Sequence, residues 1–253
     1  MRRTAVKTGR RARARTRPAT GRTAMVLVAA IALSQPLRAQ AQATGADVQN
    51  VSISVPGGAA LAGRYRDAGP GAPGVLLFPM CGPRGVDGWS PVAERLRSAG
   101  VSSLMVQEPG YGPNGAREAR ADAAVAYLRS RVGESAPIAL TGGSCGVSLA
   151  LSTASRHPAP VRAVVVLSGP YGDELLDHVR KTPALAVFAG ASEGEPPSPV
   201  WARALKTAST HPASRVEIWT PRSHGTEYFV VNPSFAGLVA DWLAERLAAR
   251  SVR

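Results

Sequence analysis

The chain has 253 residues, 30 Lys and Arg against 17 Asp and Glu, and a formal net charge of +13. That excess is not a nucleic-acid footprint. Ten of the thirty basic residues and none of the acids precede Thr44, so residues 44–253 carry only +3, without a basic helix or aromatic stripe to track a phosphate backbone. Two cysteines outside any CxxC spacing and four scattered histidines give no metal-ligand pattern.

Residues 1–43 read as a signal peptide. A basic stretch, Met1 to Arg22, precedes the apolar run Ala24 to Leu33, and Leu37-Arg38-Ala39-Gln40-Ala41-Gln42-Ala43 repeats small residues at the spacing a signal peptidase needs. Cleavage is expected near Ala41 or Ala43, and the apolar run falls short of the roughly 20 residues that span a bilayer, so no stable membrane anchor is expected. Residues 44–253 suffice for one well-buried core and are few for two.

Within that stretch, short Val/Ile/Leu runs alternate with Ala/Arg/Leu segments of helical spacing, the pattern of βα units on a mainly parallel sheet. Val51 to Val55 and Ala60 to Arg66, joined by Pro56-Gly57-Gly58, predict an opening antiparallel hairpin. Further strands are predicted at Gly74 to Phe78, Ser102 to Gln107, Ile138 to Thr141, Ala163 to Leu167, Ala184 to Ala189 and Arg215 to Trp219. Helices are predicted at Ser90 to Ala99, Gly115 to Arg131, Val147 to Arg156, Gly172 to Arg180, Pro199 to Thr207 and Pro233 to Ala249. Strands such as Ala163 to Leu167 are apolar throughout, as required when helices cover both faces. The expected fold is an α/β class three-layer α/β/α sandwich on an eight-stranded, mostly parallel sheet.

Chemistry concentrates after the strand Ile138 to Thr141, which runs directly into Gly142-Gly143-Ser144-Cys145-Gly146 and then a helix. A strand-to-helix turn of this kind holds one side chain strained and exposed, and flanking glycines avoid collisions a Cβ would cause. Ser144 is that residue. Here the chain resembles the α/β-hydrolase family, whose G-x-S-x-G nucleophile elbow GGSCG fits. Cys145 as nucleophile, as in the related dienelactone hydrolases, is disfavoured because Val147 stands where its elbow would need glycine.

The resemblance implies that a histidine activates the serine and a carboxylate orients that histidine. His224, in Ser223-His224-Gly225 after the last strand, lies where the family carries its base. His157, His178 and His211 sit at element ends or on a helix and read as solvated. The family's acid follows the penultimate strand, three residues after a glycine, which selects Glu193. Glu195 is the alternative, and Asp173 or Asp177 would be a migrated acid. Oxyanion-hole N–H donors are expected from Cys145 and from Met80, with Cys81 the alternative to Met80, since Pro79 has no N–H.

Both cysteines thereby map to the segments that build the oxyanion hole, which suggests a disulfide clamp. The demanding geometry of disulfides weighs instead toward two buried thiols. Trp89 and Trp201 read as packing residues, and Tyr111 as a residue that could line the pocket.

The short connection between Ala163–Leu167 and Ala184–Ala189 leaves no room for a cap domain. The resemblance, which spans the chain from Val51 to the closing helix, implies an ester hydrolase acting on a small-molecule substrate with no cofactor or metal, and the signal peptide implies that it is exported. A thioesterase, lactonase or peptidase of the same fold, or a non-catalytic exported binding protein on it, are the alternatives.

Overall fold

A computed structural model describes residues 48–82, 85, 87–107 and 114–248. The expected signal peptide and Tyr111 lie outside the described residues.

All eight expected strands form, as β1 Val48–Ile53, β2 Leu61–Arg66, β3 Gly74–Phe78, β4 Ser102–Val106, β5 Ile138–Gly143, β6 Val161–Leu167, β7 Ala186–Ser192 and β8 Arg215–Trp219. They make one sheet in the order β1-β2-β4-β3-β5-β6-β7-β8. The β1–β2 hairpin is antiparallel and β2 runs antiparallel to β4, whereas every later pairing is parallel.

Strand residues alternate between two apolar layers. Leu76, Leu104, Leu140, Val164 and Val187 face one layer. There they meet α2 (Asn114–Val132), α3 (Gly146–Arg156), α4 (Asp173–Lys181) and α5 (Ser198–Ala208). Val75, Leu77, Met105, Val165 and Phe188 face the other layer. Their partners are α1 (Ser90–Ser98), the one-turn α6 (Tyr228–Val231) and the closing α7 (Pro233–Ala248). Central strands β3 and β4 are buried at every position, so apolar side chains dominate both faces, with the buried Ser102 and Ser103 at the start of β4 the polar exceptions.

Connections between parallel strands place α1 on one face and α2 on the other, so the winding reverses between β3 and β5. Crevices at such reversals, outside the carboxyl ends of the strands, are where open α/β sheets bind ligands. The β6–β7 connection holds the nine-residue α4 and short loops, with no cap domain. Among the described residues, no helix is long and apolar enough to cross a membrane.

An aromatic cluster missed at the sequence level stands under the last loops. Trp219 stacks on Tyr228 at 4.3 Å, and Phe235 meets Trp219, Tyr228 and Phe229 edge-on or tilted at 5.4, 4.9 and 5.9 Å. Phe229 in turn touches Trp89, which is fully buried and donates its indole N–H to Phe78 O at 2.7 Å. Contacts of this kind contribute about 0.5–1.5 kcal/mol each beyond area burial. They fix the segment that follows residue 224 against the end of β3.

Candidate active site

The turn after β5 is built as its sequence requires. Ser144 has φ 51°, a left-handed backbone that costs a non-glycine residue about 1–2 kcal/mol. Its N–H donates to Leu167 O at the end of β6 (2.9 Å), and its carbonyl accepts from Val147 N–H at the start of α3 (3.0 Å). The flanking glycines are steric necessities, because a Cβ on Gly142 would lie 2.1 Å from Gly146 O and one on Gly146 would lie 2.6 Å from Pro79 O. The strand therefore turns into the helix with its backbone pressed against the loop after β3.

Ladder pairing between β3 and β5 ends at Phe78 and Gly142, so Pro79-Met80 runs beside Gly143-Ser144. Among the described residues, neither the Met80 nor the Cys145 N–H donates to a backbone carbonyl. Cys145 has its carbonyl held by Arg117 Nη2 at 3.2 Å, a contact from α2 that the sequence did not signal.

Cys81 and Cys145 form a disulfide, with Cα atoms 5.8 Å apart. The expectation that weighed toward free thiols is thereby corrected. The backbone contact at Gly146 brings the two loops within the 4.4–6.8 Å that a bridge needs. The bond also removes Cys145 as a nucleophile, since its sulfur is not a thiol.

His224 follows β8 and opens a short turn, Gly225–Glu227, that leads into α6. Its backbone N–H donates to Glu227 Oε2 (3.1 Å), and its Nδ1 lies 3.1 Å from Glu195 Oε2. With Nδ1–H donating to that carboxylate, Nε2 is left as the basic nitrogen. Glu195 is only 17% exposed, while His224 is 37% exposed.

Glu193, the first expectation for the acid, does not meet His224. It points outward and pairs with Arg203 of α5. The physical reason is the length of β7, which continues through Gly190, Ala191 and Ser192 and pairs Ser192 with Trp219 of β8. Glu193 N–H then still bonds Trp219 O at 2.8 Å, and a turn from Ser192 O to Glu195 N–H (3.1 Å) presents Glu195 to the histidine loop. Ser192 Oγ donates to Pro221 O (3.0 Å) and accepts from Gly194 N–H (3.1 Å), locking acid loop to histidine loop. Asp177 pairs with Arg180, and Asp173 lies in the first turn of α4.

The other histidines are occupied elsewhere. His157 Nε2 lies 2.9 Å from Asp122 Oδ1, and His211 Nδ1 accepts from Ala213 N–H at 3.1 Å. Burial lowers the pKa of His178 and of His211, the latter with a further push from Arg246.

Met80 has a second task that the sequence did not reveal. Its side chain fits between Gly143 and Gly225, on each of which a Cβ would come within 2.8 Å of it. Its sulfur accepts from Thr226 N–H (3.1 Å) and Thr226 Oγ–H (2.9 Å). One methionine thus spaces the residue before Ser144 from the residue after His224.

A cleft of about 810 Å³ opens beside these loops, lined by Met80, Cys81, Phe229 and Val231 and by the charged Asp87, Arg222 and Glu227. Val230 and Val231 are 84% and 51% exposed at its rim. A separate cavity of about 10 Å³ behind the elbow, lined by Val147, Ser168 and Tyr171, has space for one water at most.

No protein-family model matches the chain, and no curated protein sequence matches it. Solved structures do. A dienelactone hydrolase from Anabaena variabilis is 21% identical, with a TM-score of 0.60 over 79% of this chain and 97% of that one. An esterase domain from Rhodothermus marinus is 17% identical, with a TM-score of 0.63 over 79% of this chain and all (100%) of that one. An esterase from Pyrococcus furiosus is 15% identical, with a TM-score of 0.61 over 80% and 92% of the two chains. At these identities the likeness is one of fold.

Proposed function

We propose that this chain, which has the α/β-hydrolase fold, is an exported serine hydrolase that cleaves a carboxylic ester, with Ser144 as nucleophile, His224 as base and Glu195 as its acid. The observation that carries the reading is the 3.1 Å contact of His224 Nδ1 with Glu195, because it leaves Nε2 free to take a proton from a serine hydroxyl.

In this scheme His224 Nε2 takes the Ser144 hydroxyl proton as Oγ attacks the ester carbonyl. The Met80 and Cys145 N–H groups receive the oxyanion, each worth about 3 kcal/mol in the transition state. Collapse expels the alcohol, which leaves with the proton from His224. Water, deprotonated by the same imidazole, then attacks the acyl-enzyme and releases the acid and free Ser144.

Ester substrates are supported by the company of the fold, since its structural neighbours are named as esterases and a dienelactone hydrolase. The apolar rim at Val230 and Val231 supports an apolar group on the substrate. Export is supported by the basic-then-apolar segment before Thr44 and by a disulfide, which persists in oxidising compartments.

The test is labelling of the folded protein with a fluorophosphonate, with the adduct located by peptide mass spectrometry. A single adduct on Ser144, abolished in Ser144→Ala, is expected. Folded protein without an adduct would refute the proposal in favour of a binding protein on this fold, and an adduct elsewhere would refute the elbow assignment.

A further inference from the structure

We propose that the Cys81–Cys145 disulfide positions the oxyanion hole, so that acyl transfer runs at full rate only while the bond is intact; this rests on the serine-hydrolase reading above. Cys145 supplies one expected donor through its own N–H, and Cys81 immediately follows Met80, which supplies the other.

The sheet cannot hold these two donors at a fixed separation. Its ladder between β3 and β5 stops at Phe78 and Gly142, one residue short of Pro79 and two short of Met80. The elbow side is rigid in its own right, because Ser144 N–H bonds Leu167 O and Cys145 O is held by Arg117.

The Met80–Cys81 side is held differently. Met80 is anchored through its side chain to Thr226, and the backbone beyond Cys81 turns at Gly82 (φ 104°), where Gly85 N–H donates to Gly82 O. The disulfide is the covalent tie between the two segments that carry the donors, joining residues 64 apart in sequence. Both cysteines are half-buried and Cys81 lines the cleft, so a small reductant can reach the bond.

Reduction by a dithiol transfers two electrons and two protons to the bond, giving two cysteine thiols and the cyclic disulfide of the reductant. Removing one oxyanion donor outright costs about 10²–10³ in kcat. Loosening one that stays present is expected to cost about tenfold, read in kcat and not in KM, because the oxyanion exists only in the transition state.

The experiment compares the purified disulfide-bonded protein with the same protein after dithiothreitol, counting thiols and monitoring near-UV and far-UV circular dichroism below the melting temperature of the reduced form. Readouts are kcat and KM for p-nitrophenyl acetate and the rate of fluorophosphonate labelling at Ser144. The expected result is two thiols gained, kcat and labelling rate down about tenfold, KM changed by less than about twofold, and recovery on reoxidation. Cys81→Ala, Cys145→Ala and the double variant should each show the same loss and no response to reductant.

The proposal is overturned if kcat and labelling are unchanged with two thiols counted, if two free thiols are present before reduction, or if the loss follows the circular dichroism. Equal labelling in both redox states overturns the positioning role alone. Absence of labelling in both overturns the serine-hydrolase reading and this inference with it.

Discussion

Replacing Glu195 by Gln tests the acid assignment, because it keeps the shape of the side chain and removes its charge. When His224 takes the serine proton it becomes a cation beside Glu195, with Nδ1 and Oε2 3.1 Å apart. Opposite charges about 4 Å apart are worth ~4 kcal/mol at an effective dielectric of ~20 and ~1 kcal/mol in water. Glu195 is 17% exposed and His224 37% exposed, so the pair sits between those limits and nearer the first. A loss of about 3 kcal/mol corresponds to a fall of about 10²-fold in kcat. KM should stay within about twofold, since the imidazolium forms only on the way to the transition state. Saturation kinetics on p-nitrophenyl acetate at constant pH measure both constants. Glu193→Gln, which loses only a surface partner in Arg203, should retain kcat within about twofold, as exposed ion pairs contribute ~0–1 kcal/mol. If Glu195→Gln kept kcat within about threefold of wild type, or Glu193→Gln lost more than about tenfold, the reasoning from the His224–Glu195 contact would be refuted.

Met80→Leu keeps the Met80 N–H and most of the volume but removes the sulfur that accepts from Thr226, so kcat on the same ester should fall by about threefold to tenfold while fluorophosphonate still labels Ser144. Burial, reinforced by the negative charge of Asp173, raises the Tyr171 pKa to about 12, and the hydroxyl donates to Trp201 O at 2.7 Å. An unfolded tyrosine ionises near 10, so the unfolded chain sheds this proton first and the stability contributed by the neutral phenol is lost between pH 10 and 12. Urea-unfolding midpoints should therefore decline over that window, and less steeply in Tyr171→Phe. Val230→Asp/Val231→Asp places charge on the exposed valine pair at the cleft, and the ratio of kcat/KM for p-nitrophenyl octanoate over acetate should drop by about tenfold, with acetate alone little changed.

The elements that could be read from the sequence are those whose pattern is set by burial alone. Strand β3 has the residue limits its buried apolar run predicts, and the elbow is legible because two glycines must pass within contact distance of neighbouring backbone. The place of His224 after the last strand was legible from the position of the strand itself. What sequence did not show depends on neighbours distant in the chain. Trp219, Tyr228, Phe229 and Phe235 gather from β8, α6 and α7 into one cluster, and Arg117 and Met80 act through contacts with residues 28 and 146 positions away.

The expected contact of Glu193 with His224 shows how one local ambiguity propagates. Gly190 resembles a turn glycine that ends a strand, and counting three residues on from it gives Glu193. Its actual reason for lacking a side chain is packing: a Cβ there would lie 2.7 Å from Leu167 Cδ2 and 2.9 Å from Trp219 Cζ3. It is a strand glycine beneath Trp219, so β7 runs on through Ser192 and the carboxylate that reaches His224 is displaced to Glu195. The aromatic cluster that braces the histidine loop and the register that sets which carboxylate meets His224 thus share one residue, Trp219. Shrinking that indole would perturb the proposed base and acid together, which Glu195→Gln does not.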